Sequence, residues 1–440
     1  MKYHIITFGC QMNVSDSERI SAILDKLKYK KASDINGADL VLVNMCSVRQ
    51  SAVDRVHGLV QKFRKLQTTR HKLQTILTGC ILEKDRKKFI NSFDYVIDIK
   101  DIKNLSQFLD NHFFQKLRHG VISERSDARQ NSYLDIAPRY SSKFSANVPI
   151  MTGCNNFCAY CVVPYTRDRE VSRPAKEIIS EIKNLIKKGY KEIWLLGQNV
   201  NSYHGTWDIK HKTKQIGFAD LLRTIDNIPG NFWIRFTSSH PKDFSDKLIK
   251  AMARRKHITP YLNLPVQSGD NKVLKSMNRH YSVAQYKNTI KKLRKQIPDI
   301  SLSTDIIIGF PGETKKQFEN TAELFHKIKF DMAYINKYSP RAGTAAEKLK
   351  DDVSITEKKR REKVLTKILK QTALEKNKML VGKKTIVLIE EKKNDFWIGK
   401  NEQYKTVKII SNKNLLGKFV RVKITEAMAF ALKGTLINEK

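Results

Sequence analysis

The N-terminal part of the chain alternates short apolar runs with segments of helical periodicity. Four runs have the length and composition of buried strands: YHIITF, DLVLVN, KLQTILT and DYVID. After the first run, apolar residues recur on one helical face at Ile20, Ile23, Leu24 and Leu27. Ser15 and Glu18 form a capping-box pattern at the start of that helix. The alternation predicts an α/β domain built on a doubly wound parallel sheet.

The centre of the chain repeats this alternation on a larger scale. Its apolar runs are VPIMT, KEIWLLG, FWIRFT, TPYLNL, ISLSTDIII and DMAYINKY, with helical stretches between them. One stretch ends at Gly189 and carries an apolar stripe of Ile178, Ile182, Leu185 and Ile186. Six β/α units predict a partial or closed parallel barrel of the (β/α)6 type, whose functional side chains lie at the carboxyl ends of the strands.

The pattern changes again towards the C-terminus. The basic stretch EKKRREKVLTKILKQTALEKNK predicts a helix, and after Gly382 the period falls to two in KTIVLIE, FWIGK, TVKII, KFVRVKITE and LKGTLI. Five short strands predict a small all-β barrel of a kind that often binds RNA. Phe396, Trp397 and Phe419 fall in these strands, where we expect them to be core residues.

These patterns divide the chain into three domains and a linker. They occupy residues 1–120, the polar linker 121–147, then 148–375 and 376–440. No apolar run reaches the roughly 18 residues of a membrane span, and the N-terminus lacks a signal-peptide pattern. We therefore expect a cytoplasmic protein without membrane contact, whose six cysteines form no disulfides. We also expect a monomer.

The charge of the chain is strongly basic. Lysine and arginine number 82 against 44 acidic residues, which gives a formal net charge of +38. Such an excess indicates a polyanionic partner such as nucleic acid. A lysine-rich proteome would give the same composition, and the charge is spread along the whole chain. Composition therefore leaves both interpretations open. The histidines show no paired spacing typical of metal ligands.

Three cysteines follow strands of the predicted N-terminal sheet. Cys10 follows YHIITFG, Cys46 follows DLVLVNM, and Cys80 follows KLQTILTG. Because the carboxyl ends of parallel strands meet at one edge, these thiols are expected to converge where such sheets bind ligands. Free cysteines are commonly buried as small apolar residues, which is the alternative for each one alone. Gly9 and Gly79 precede two of them and allow close backbone approach, so we favour a metal centre.

A second trio occupies one loop, GCNNFCAYC, directly after the first barrel strand. Cys154, Cys158 and Cys161 are closely spaced, and no fourth cysteine follows nearby. A zinc knuckle is the alternative, but zinc sites usually show two Cys-x-x-Cys pairs or a histidine partner, which this chain lacks. Three thiolates on a 4Fe-4S cluster would leave one iron open for a substrate or cofactor.

The spacing of the second trio, with Tyr160 before its last cysteine, resembles the radical S-adenosylmethionine (SAM) superfamily. The upstream cysteines and a C-terminal barrel similar to the TRAM module extend the resemblance over nearly all the chain, to the methylthiotransferases. The segments CVVPYTRDREVSRP, LLGQNVNSYHG, IRFTSSHPKDFSDKLI, LPVQSGDNKVLKSMNRHY and DIIIGFPGET are similar to the branch that modifies isopentenyladenosine in tRNA. Two residues depart from it: Asp168 replaces an expected glycine, placing negative charge near an RNA path, and Met45 an expected threonine.

The resemblance implies a two-cluster mechanism. The cluster on the second trio reduces SAM to give a 5′-deoxyadenosyl radical, and an auxiliary 4Fe-4S cluster on the first trio holds a sulfur species that a second SAM methylates. The radical then takes hydrogen from carbon 2 of the adenine, where the methylthio group is delivered. The resemblance also implies a tRNA substrate and an electron donor of the flavodoxin or ferredoxin type. No protein acid or base is required.

Further residues are candidates for cofactor and RNA contacts. The resemblance places Tyr160 beside the adenine of SAM. Polar residues that follow barrel strands are candidate hydrogen-bond partners of SAM, although such residues also cap helices: Gln198, Asn199, Ser238 and Gln267. Arg279 is a candidate partner of the SAM carboxylate, with a surface salt bridge as the alternative. Three arginines after the cluster loop are candidates for phosphate contacts, with a solvated charge run as the alternative: Arg167, Arg169 and Arg173.

Two other functions stay open at this point. One is a sister methylthiotransferase that acts on threonylcarbamoyladenosine in tRNA or on a ribosomal protein, against which the residues of 162–173 and 197–201 argue. The other is an iron–sulfur RNA-binding or redox protein without radical chemistry. Formation of 5′-deoxyadenosine under reducing conditions separates that last case from the enzymes.

Overall fold

The computed structural model describes residues 1–48, 50–69, 73–109, 133–209 and 212–437. Part of the predicted linker, residues 121–132, and the end of the predicted first domain, residues 110–120, lie outside this described part. No helix within the described part is long and apolar enough to cross a membrane.

The chain folds into two compact units that interleave along the sequence. Unit 1 comprises Met1–Ser141, Thr152–Val171 and Arg341–Thr344. Unit 2 comprises Ser142–Met151, Ser172–Pro340 and Ala345–Lys440. Both cysteine trios therefore belong to unit 1, whereas the predicted barrel and the C-terminal strands belong to unit 2.

Unit 1 contains a five-stranded parallel sheet. Its strands are β1 (Lys2–Phe8), β2 (Lys30–Lys31), β3 (Leu40–Cys46), β4 (Gln74–Cys80) and β5 (Tyr95–Val96). Its helices are α1 (Gln11–Lys26), α2 (Gln50–Thr69), α3 (Glu83–Phe89) and α4 (Leu105–Leu109). The spatial order β2-β1-β3-β4-β5 is a doubly wound order, which confirms the predicted fold class. In such sheets ligands bind beyond the carboxyl ends of the strands, beside β1 and β3.

The apolar residues of this domain form a buried core as predicted, but the predicted start of one helix was wrong. Val41, Val43 and Leu77 of the central strands pack with Phe63 of α2 in one buried cluster. Helix α1 begins at Gln11, four residues before the predicted capping box. Its cap is formed by Cys10 and Asn13, so Ser15 and Glu18 lie inside the helix.

Unit 2 contains six parallel strands that form an open barrel. The strands are β6 (Ser145–Pro149), β9 (Glu192–Leu196), β12 (Trp233–Phe236), β13 (Tyr261–Asn263), β14 (Ser301–Ile308) and β15 (Met332–Lys337). They pair as β6-β9-β12 and β13-β14-β15. A parallel bridge between Ile234 and Ile258 joins the two halves. Within the described residues β15 does not pair with β6, so the barrel is partial and not closed.

Helices accompany these strands as the 3.6-residue periodicity predicts. They are α6 (Ala175–Lys187), α7 (Phe218–Asp226), α8 (Asp246–Ala253), α9 (Asn271–Ser276), α10 (Val283–Gln296) and α11 (Lys315–Ile328). Helix α6 buries Ile178, Ile182 and Leu185, and Gly189 follows it with a φ of 87°. This left-handed conformation suits a glycine after a helix end and confirms the predicted stop.

Three short elements and one hairpin complete the central region. Helix α5 (Val163–Thr166) lies in unit 1, and the two-residue strands β7 (Met151–Thr152) and β8 (Val171–Ser172) stand where the chain passes between units. The antiparallel hairpin of β10 (His204–Ile209) and β11 (Lys212–Gly217) was not predicted. Its second strand, KTKQIG, is mostly exposed and polar, so it lacks the apolar signal of a buried strand.

The C-terminal strands close into the predicted small barrel. They are β16 (Lys384–Lys393), β17 (Phe396–Asn401), β18 (Thr406–Ile410), β19 (Phe419–Ala427) and β20 (Leu432–Leu436), in the closed order β16-β17-β18-β20-β19. Trp397 is buried in its core. Phe419 instead packs against Trp233, with ring centroids 4.6 Å apart.

The small barrel lies against the amino ends of the large barrel's strands. Arg235 of β12 is fully buried there, and its guanidinium donates to Glu192 at 2.6 Å and to the carbonyl oxygen of Asn401 at 2.8 Å. Helix α12 (Ile355–Lys378) precedes the small barrel and ends beside it, where Asn377 donates to the carbonyl oxygen of Met428 at 2.8 Å.

Candidate metal centre and cofactor site

The first cysteine trio lies at the predicted edge of the unit 1 sheet. Cys46 and Cys80 are the last residues of β3 and β4, are direct register partners, and are both buried. Cys10 is the N-cap of α1, just beyond the end of β1. Strand alternation and the parallel topology thus bring the three thiols to one place, as the sequence predicts.

Two glycines allow the backbone to pack closely beside this trio. A Cβ atom on Gly79, whose φ is 116°, would lie 2.1 Å from the carbonyl oxygen of Met45. A Cβ atom on Gly9 would lie 2.1 Å from the side-chain oxygen of Asn13. Any side chain at either position would therefore displace the groups beside the cysteines. Met45, the residue that replaces an expected threonine, is fully buried in the core behind this edge.

Asn13 contacts two of the thiols and was not predicted from the sequence. Its Oδ1 lies 3.5 Å from the sulfur of Cys10, and its Nδ2 lies 3.9 Å from the sulfur of Cys80. Asn44 of β3 holds the amide in place, because it accepts from Asn13 Nδ2 at 2.9 Å and donates to the Asn13 carbonyl at 2.8 Å. The spacing of three residues after Cys10, the capping-box distance, could have identified Asn13.

Arg167 is the positive charge nearest to this trio. Its Nε lies 2.9 Å from the sulfur of Cys80, its Nη2 donates to Asp16 at 2.5 Å, and its Nη1 donates to the Tyr133 hydroxyl at 2.7 Å. The side chain is 2% exposed and that of Asp16 is 0% exposed. Arg167 is therefore not available for the tRNA phosphate contact predicted from the sequence, because its donors are used inside the protein.

The surroundings of the trio raise the pKa of two of its thiols and lower that of the third. Burial of its sulfur raises the pKa of Cys10, although the residue as a whole is exposed. The hydrogen bond between the Cys46 and Cys80 side chains, followed by burial, raises the pKa of Cys80 well above its usual value. The same hydrogen bond lowers the pKa of Cys46 and outweighs the opposing effect of burial there. Since iron binds thiolates, we expect metal binding to release protons at this site.

The second trio occupies one loop of unit 1. Cys154 is buried, whereas Cys158 and Cys161 are half-buried. Burial raises the pKa of Cys154, and Asn156 Nδ2 lies 3.5 Å from its sulfur. The amide of Cys161 donates to the carbonyl oxygen of Cys158 at 2.9 Å, which fixes the turn between the last two cysteines.

Both trios fit the chemistry of a three-cysteine iron–sulfur cluster. Within the described residues, no three His, Cys, Asp or Glu side chains are close enough to hold a single metal ion. A 4Fe-4S cluster does not need this, because each thiolate binds a different iron. Buried soft sulfur ligands, glycines on the adjoining backbone and a guanidinium at the first trio all suit a cluster of negative charge.

Asp168 adopts the conformation that its expected glycine would have. Its φ is 61°, and its carbonyl oxygen accepts from the amide of Cys154 at 3.1 Å. Aspartate is among the few residues that tolerate this left-handed region. Its carboxylate pairs with Lys100 at 2.7 Å, and both side chains are about half exposed. The added negative charge is therefore matched by a neighbouring lysine.

Replacement of Asp168 by valine is expected to destabilise the segment 152–171 by about 1–2 kcal/mol, because a β-branched residue is strained at positive φ. Asp168→Gly is expected to change the stability of this segment by less than about 1 kcal/mol, since the substitution removes only an exposed ion pair. Hydrogen exchange of peptides from this segment measures the difference. Lys100→Ala is the matched control, because it removes the ion pair and leaves the backbone unchanged. Equal protection in the valine and glycine variants contradicts the argument.

Unit 2 has buried polar atoms without partners at the carboxyl ends of its strands. Among the described residues these include the side-chain oxygens of Gln198 and Asn199 after β9, the Ser239 hydroxyl and His240 Nε2 after β12, and the side-chain oxygen of Gln267 after β13. A buried polar group without a hydrogen-bond partner lowers the stability of the fold, so such groups commonly mark a ligand-binding site. This observation fits the polar groups of SAM.

His240 was missed from the sequence. Its Nδ1 accepts from the Lys242 amide at 3.2 Å, which leaves the Nε2 proton as the unpartnered donor. Burial and the charge of Arg279 lower the pKa of His240 to about 2, so the ring is neutral at physiological pH. The signal was its position, two residues after the candidate Ser238.

The other predicted cofactor residues have more varied surroundings. Ser238 and Gln267 have φ values of 65° and 68°, so both sit in the strained left-handed region. Arg279 is buried, not in a surface salt bridge, and donates to the carbonyl oxygen of Pro265 at 3.0 Å. Tyr160 is half-buried in the cluster loop of unit 1.

The two remaining arginines differ in exposure. Arg173 is buried, where it pairs with Glu181 at 2.8 Å and donates to the carbonyl oxygen of Pro149 at 2.8 Å. It is not presented to an RNA phosphate, because α6 supplies its counter-charge. Arg169 is exposed and stacks over the Phe157 ring at 4.2 Å, so it stays a candidate for an RNA contact.

The GFPGE turn is held by an internal ion pair. Glu313 accepts from the amide of Gly309 at 2.6 Å and from Arg361 of α12 at 2.6 Å. Gly309 has a φ of 65°, and a Cβ atom there would meet Lys358 at 2.5 Å. The motif therefore has a clear structural role, in fastening α12 to the carboxyl end of β14.

Comparison with known families agrees with the three-part organisation. Residues 148–325 match the radical SAM superfamily, and residues 378–437 match the TRAM domain. Residues 2–99 match a family described as uncharacterized protein family UPF0004. The solved structure of the radical S-adenosylmethionine methyltransferase TsrM from Kitasatospora setae covers 79% of this chain and 77% of its own, with a TM-score of 0.52 at 12% identity. That similarity concerns the fold alone.

Curated relatives match over the full length. A tRNA-2-methylthio-N(6)-dimethylallyladenosine synthase of Thermoanaerobacter sp. (strain X514) is 40% identical over 441 residues, which are 99% of this chain and 93% of that protein. The protein of the same name from Dictyoglomus thermophilum is 40% identical over 444 residues, covering 100% of this chain and 99% of its own. This chain belongs to the family of tRNA-2-methylthio-N(6)-dimethylallyladenosine synthases, which are radical SAM enzymes.

Proposed function

We propose that this protein attaches a methylthio group to carbon 2 of N6-isopentenyladenosine beside the anticodon of tRNA. One observation carries the proposal: two separate cysteine trios, one at a sheet edge and one in a loop, occur in a chain that resembles this family from end to end. The reaction adds sulfur and a methyl group to an unactivated carbon, which requires both a radical and a sulfur source. Two independent sites of three thiols meet these two requirements.

The protein's part in this chemistry is to bind and to exclude water. When bound, a 4Fe-4S cluster and SAM supply one-electron radical chemistry. Cys154, Cys158 and Cys161 would hold that cluster, and the first trio would hold an auxiliary cluster that serves as the sulfur site. Asn13 orients the thiols of Cys10 and Cys80, and the fold shields Cys46 and Cys80 from solvent at the ends of the buried β3 and β4.

The unpartnered atoms of unit 2 are proposed to bind SAM. Gln198, Asn199 and Gln267 present acceptors, and His240 presents a donor, which together suit an amino group and ribose hydroxyls. Ser238 and Arg279 are proposed to shape the same binding site. No proton transfer is assigned to these residues, since His240 is held neutral by burial.

Gln267→Asn is expected to raise the Kd for SAM roughly tenfold, the equivalent of one lost hydrogen bond in a buried site. Asparagine tolerates the left-handed backbone of this position, so the fold is kept while the amide is withdrawn by one methylene. Equilibrium dialysis of SAM with the reconstituted protein measures the change. The control is Gln296→Asn, at an exposed position in the last turn of α10. Equal affinities of the two variants for SAM contradict the assignment.

The tRNA is proposed to contact a lysine stripe on α12. Exposed lysines recur within one face of this helix at Lys359, Lys363, Lys367 and Lys370. The start of α12 is fastened beside the carboxyl end of β15, where Lys358 donates to the Tyr338 carbonyl at 3.2 Å. Its end reaches the small barrel at Asn377. The stripe thus spans about 17 Å of a helix that runs from the carboxyl ends of the strands to the TRAM domain.

Reversing two charges of the stripe is expected to weaken tRNA binding and its dependence on salt. Each phosphate contact adds about one to the slope of log affinity against log salt, so Lys363→Glu with Lys367→Glu should lower the slope by about two. Fluorescence anisotropy with labelled tRNA at several salt concentrations measures it. The control reverses Lys287 and Lys291, exposed with the same spacing on α10. A slope that falls equally in both pairs means that the whole surface binds.

Mass spectrometry of nucleosides from bulk tRNA tests the function. Cells without the gene should lose 2-methylthio-isopentenyladenosine and accumulate isopentenyladenosine, and the intact gene should restore the product. An unchanged isopentenyladenosine profile with altered threonylcarbamoyladenosine would transfer the proposal to the sister activity. We further propose that the protein acts in the cytoplasm as a monomer, with electrons from a flavodoxin or ferredoxin.

A further inference from the structure

We propose that Arg167 is a positioning residue that sets the reduction potential of the auxiliary cluster, by holding a fixed positive charge against the sulfur of Cys80. This inference rests on the proposed function, because it assumes a cluster on Cys10, Cys46 and Cys80. It assigns to Arg167 a role inside the protein in place of the RNA contact that its position in the sequence predicts. The role is carried by geometry within unit 1 alone.

The guanidinium is held in one orientation by two neighbours. Asp16 of α1 accepts from Nη2 at 2.5 Å, and the Tyr133 hydroxyl accepts from Nη1 at 2.7 Å. With both terminal nitrogens engaged, Nε is left directed at Cys80, 2.9 Å from its sulfur. Arginine suits this task because its donors lie in a rigid planar fork, which lysine does not offer.

The surroundings make this contact electrostatically strong. Arg167 and Asp16 are 2% and 0% exposed, so water does not screen the charge as it would at the surface. Hydrogen bonds and charge at the sulfur ligands are among the main determinants of the potential of an iron–sulfur cluster. A nearby cation stabilises the reduced cluster, which carries one more negative charge. Arg167 should therefore raise the potential, and Asp16 should lower it.

The contact is also asymmetric among the three cysteines. The described hydrogen bonds of Arg167 reach only Cys80 of the trio, whereas Asn13 lies between Cys10 and Cys80. Arg167 stands six residues after Cys161 in the chain. The segment that carries the second trio thus also supplies the group that tunes the first, within one compact unit.

The test is a redox titration followed by electron paramagnetic resonance on the reconstituted full-length chain. The variant Cys154→Ala, Cys158→Ala, Cys161→Ala serves as background, so that only the auxiliary cluster gives a signal. In this background Arg167→Gln should shift the midpoint potential to a more negative value, and Asp16→Asn to a more positive one. The double substitution, which removes both charges, should lie between the two. Arg169→Gln is the control, since it removes the same charge from an exposed side chain that stacks over Phe157.

A purely structural role of Arg167 would not shift the midpoint potential in opposite directions in Arg167→Gln and Asp16→Asn. If Arg167→Gln and Asp16→Asn move the potential in the same direction, or if neither moves it, the inference is overturned while the proposed function stands. Should Arg167→Gln fail to fold because Asp16 is left buried and unpaired, Asp16→Asn and the double substitution decide the question. Absence of any cluster in the background variant overturns the auxiliary site, and this inference with it.

Discussion

Replacement of Cys158 by alanine is expected to abolish cleavage of SAM and formation of the methylthio product, while about half of the iron is retained. Cys154 and Cys161 alone cannot hold a cluster that needs three thiolates from this chain. The first trio lies on separate strands, β3 and β4, and on the cap of α1, so its cluster should persist. Iron and sulfide analysis of the reconstituted protein, together with assay of 5′-deoxyadenosine under reducing conditions, measures both parts.

Asn155→Ala is the matched control for this prediction. Asn155 is an exposed neighbour in the same loop, and its side-chain oxygen accepts from the amide of Glu170 at 3.2 Å. The control should retain both clusters and SAM cleavage. Loss of all iron from Cys158→Ala would show that the two sites do not assemble independently. Continued formation of 5′-deoxyadenosine in that variant would remove the second trio from the radical chemistry.

The sequence predicts the positions of both trios because each depends on local rules. A cysteine at the end of a parallel strand lies at the ligand-binding edge whatever the rest of the chain does. Cys46 and Cys80 follow apolar runs of clear strand character, and their register pairing follows from the parallel topology. The three cysteines of the second trio lie in one loop, so their proximity requires no knowledge of tertiary structure.

The residues that the sequence misassigns are those whose partners are set by the tertiary fold. Arg167 is separated by 151 residues from Asp16, and no periodicity or motif connects them. Its neighbours in sequence suggest a basic surface, whereas the fold places it in the interior. Arg173 is likewise neutralised by Glu181, which is visible as an ion pair only once α6 is in place. The hairpin of β10 and β11 was missed for a different reason, since its polar and mostly exposed second strand gives no apolar signal.

The helix that begins at Gln11 shows how function can displace a local rule. Ser15 and Glu18 have the capping-box spacing, yet α1 starts four residues earlier, with Cys10 as its cap. A cysteine is a poor N-cap by propensity. The early start places Cys10 beside Asn13, which also contacts Cys80. A helix that followed propensity alone would start later and leave Cys10 outside its cap, whereas the observed start places Cys10 where a metal ligand is required.

Replacement of Cys80 by alanine is expected to abolish the methylthio product but to leave SAM cleavage intact. Cys80 ends β4 and is one of three ligands to the proposed auxiliary cluster, so its loss removes the sulfur site. The second trio is untouched, and 5′-deoxyadenosine should still form under reduction. The fold should persist because Arg167 keeps its bonds to Asp16 and Tyr133, and the small cavity costs about 1 kcal/mol.

Ser47→Ala is the control for Cys80→Ala, because Ser47 lies at the same sheet edge and its hydroxyl accepts from the Leu82 amide at 3.2 Å. The backbone amide of Ser47 donates to the Cys80 carbonyl oxygen at 2.8 Å, and the substitution keeps that bond. Liquid chromatography with mass spectrometry can follow 5′-deoxyadenosine and the modified nucleoside in the same reaction. If Cys80→Ala still forms methylthio product, the first trio is not the sulfur site. If it loses SAM cleavage as well, the trios are not separable, and one site of unit 1 must serve both steps. Only cleavage without product is consistent with two sites that divide the reaction between them.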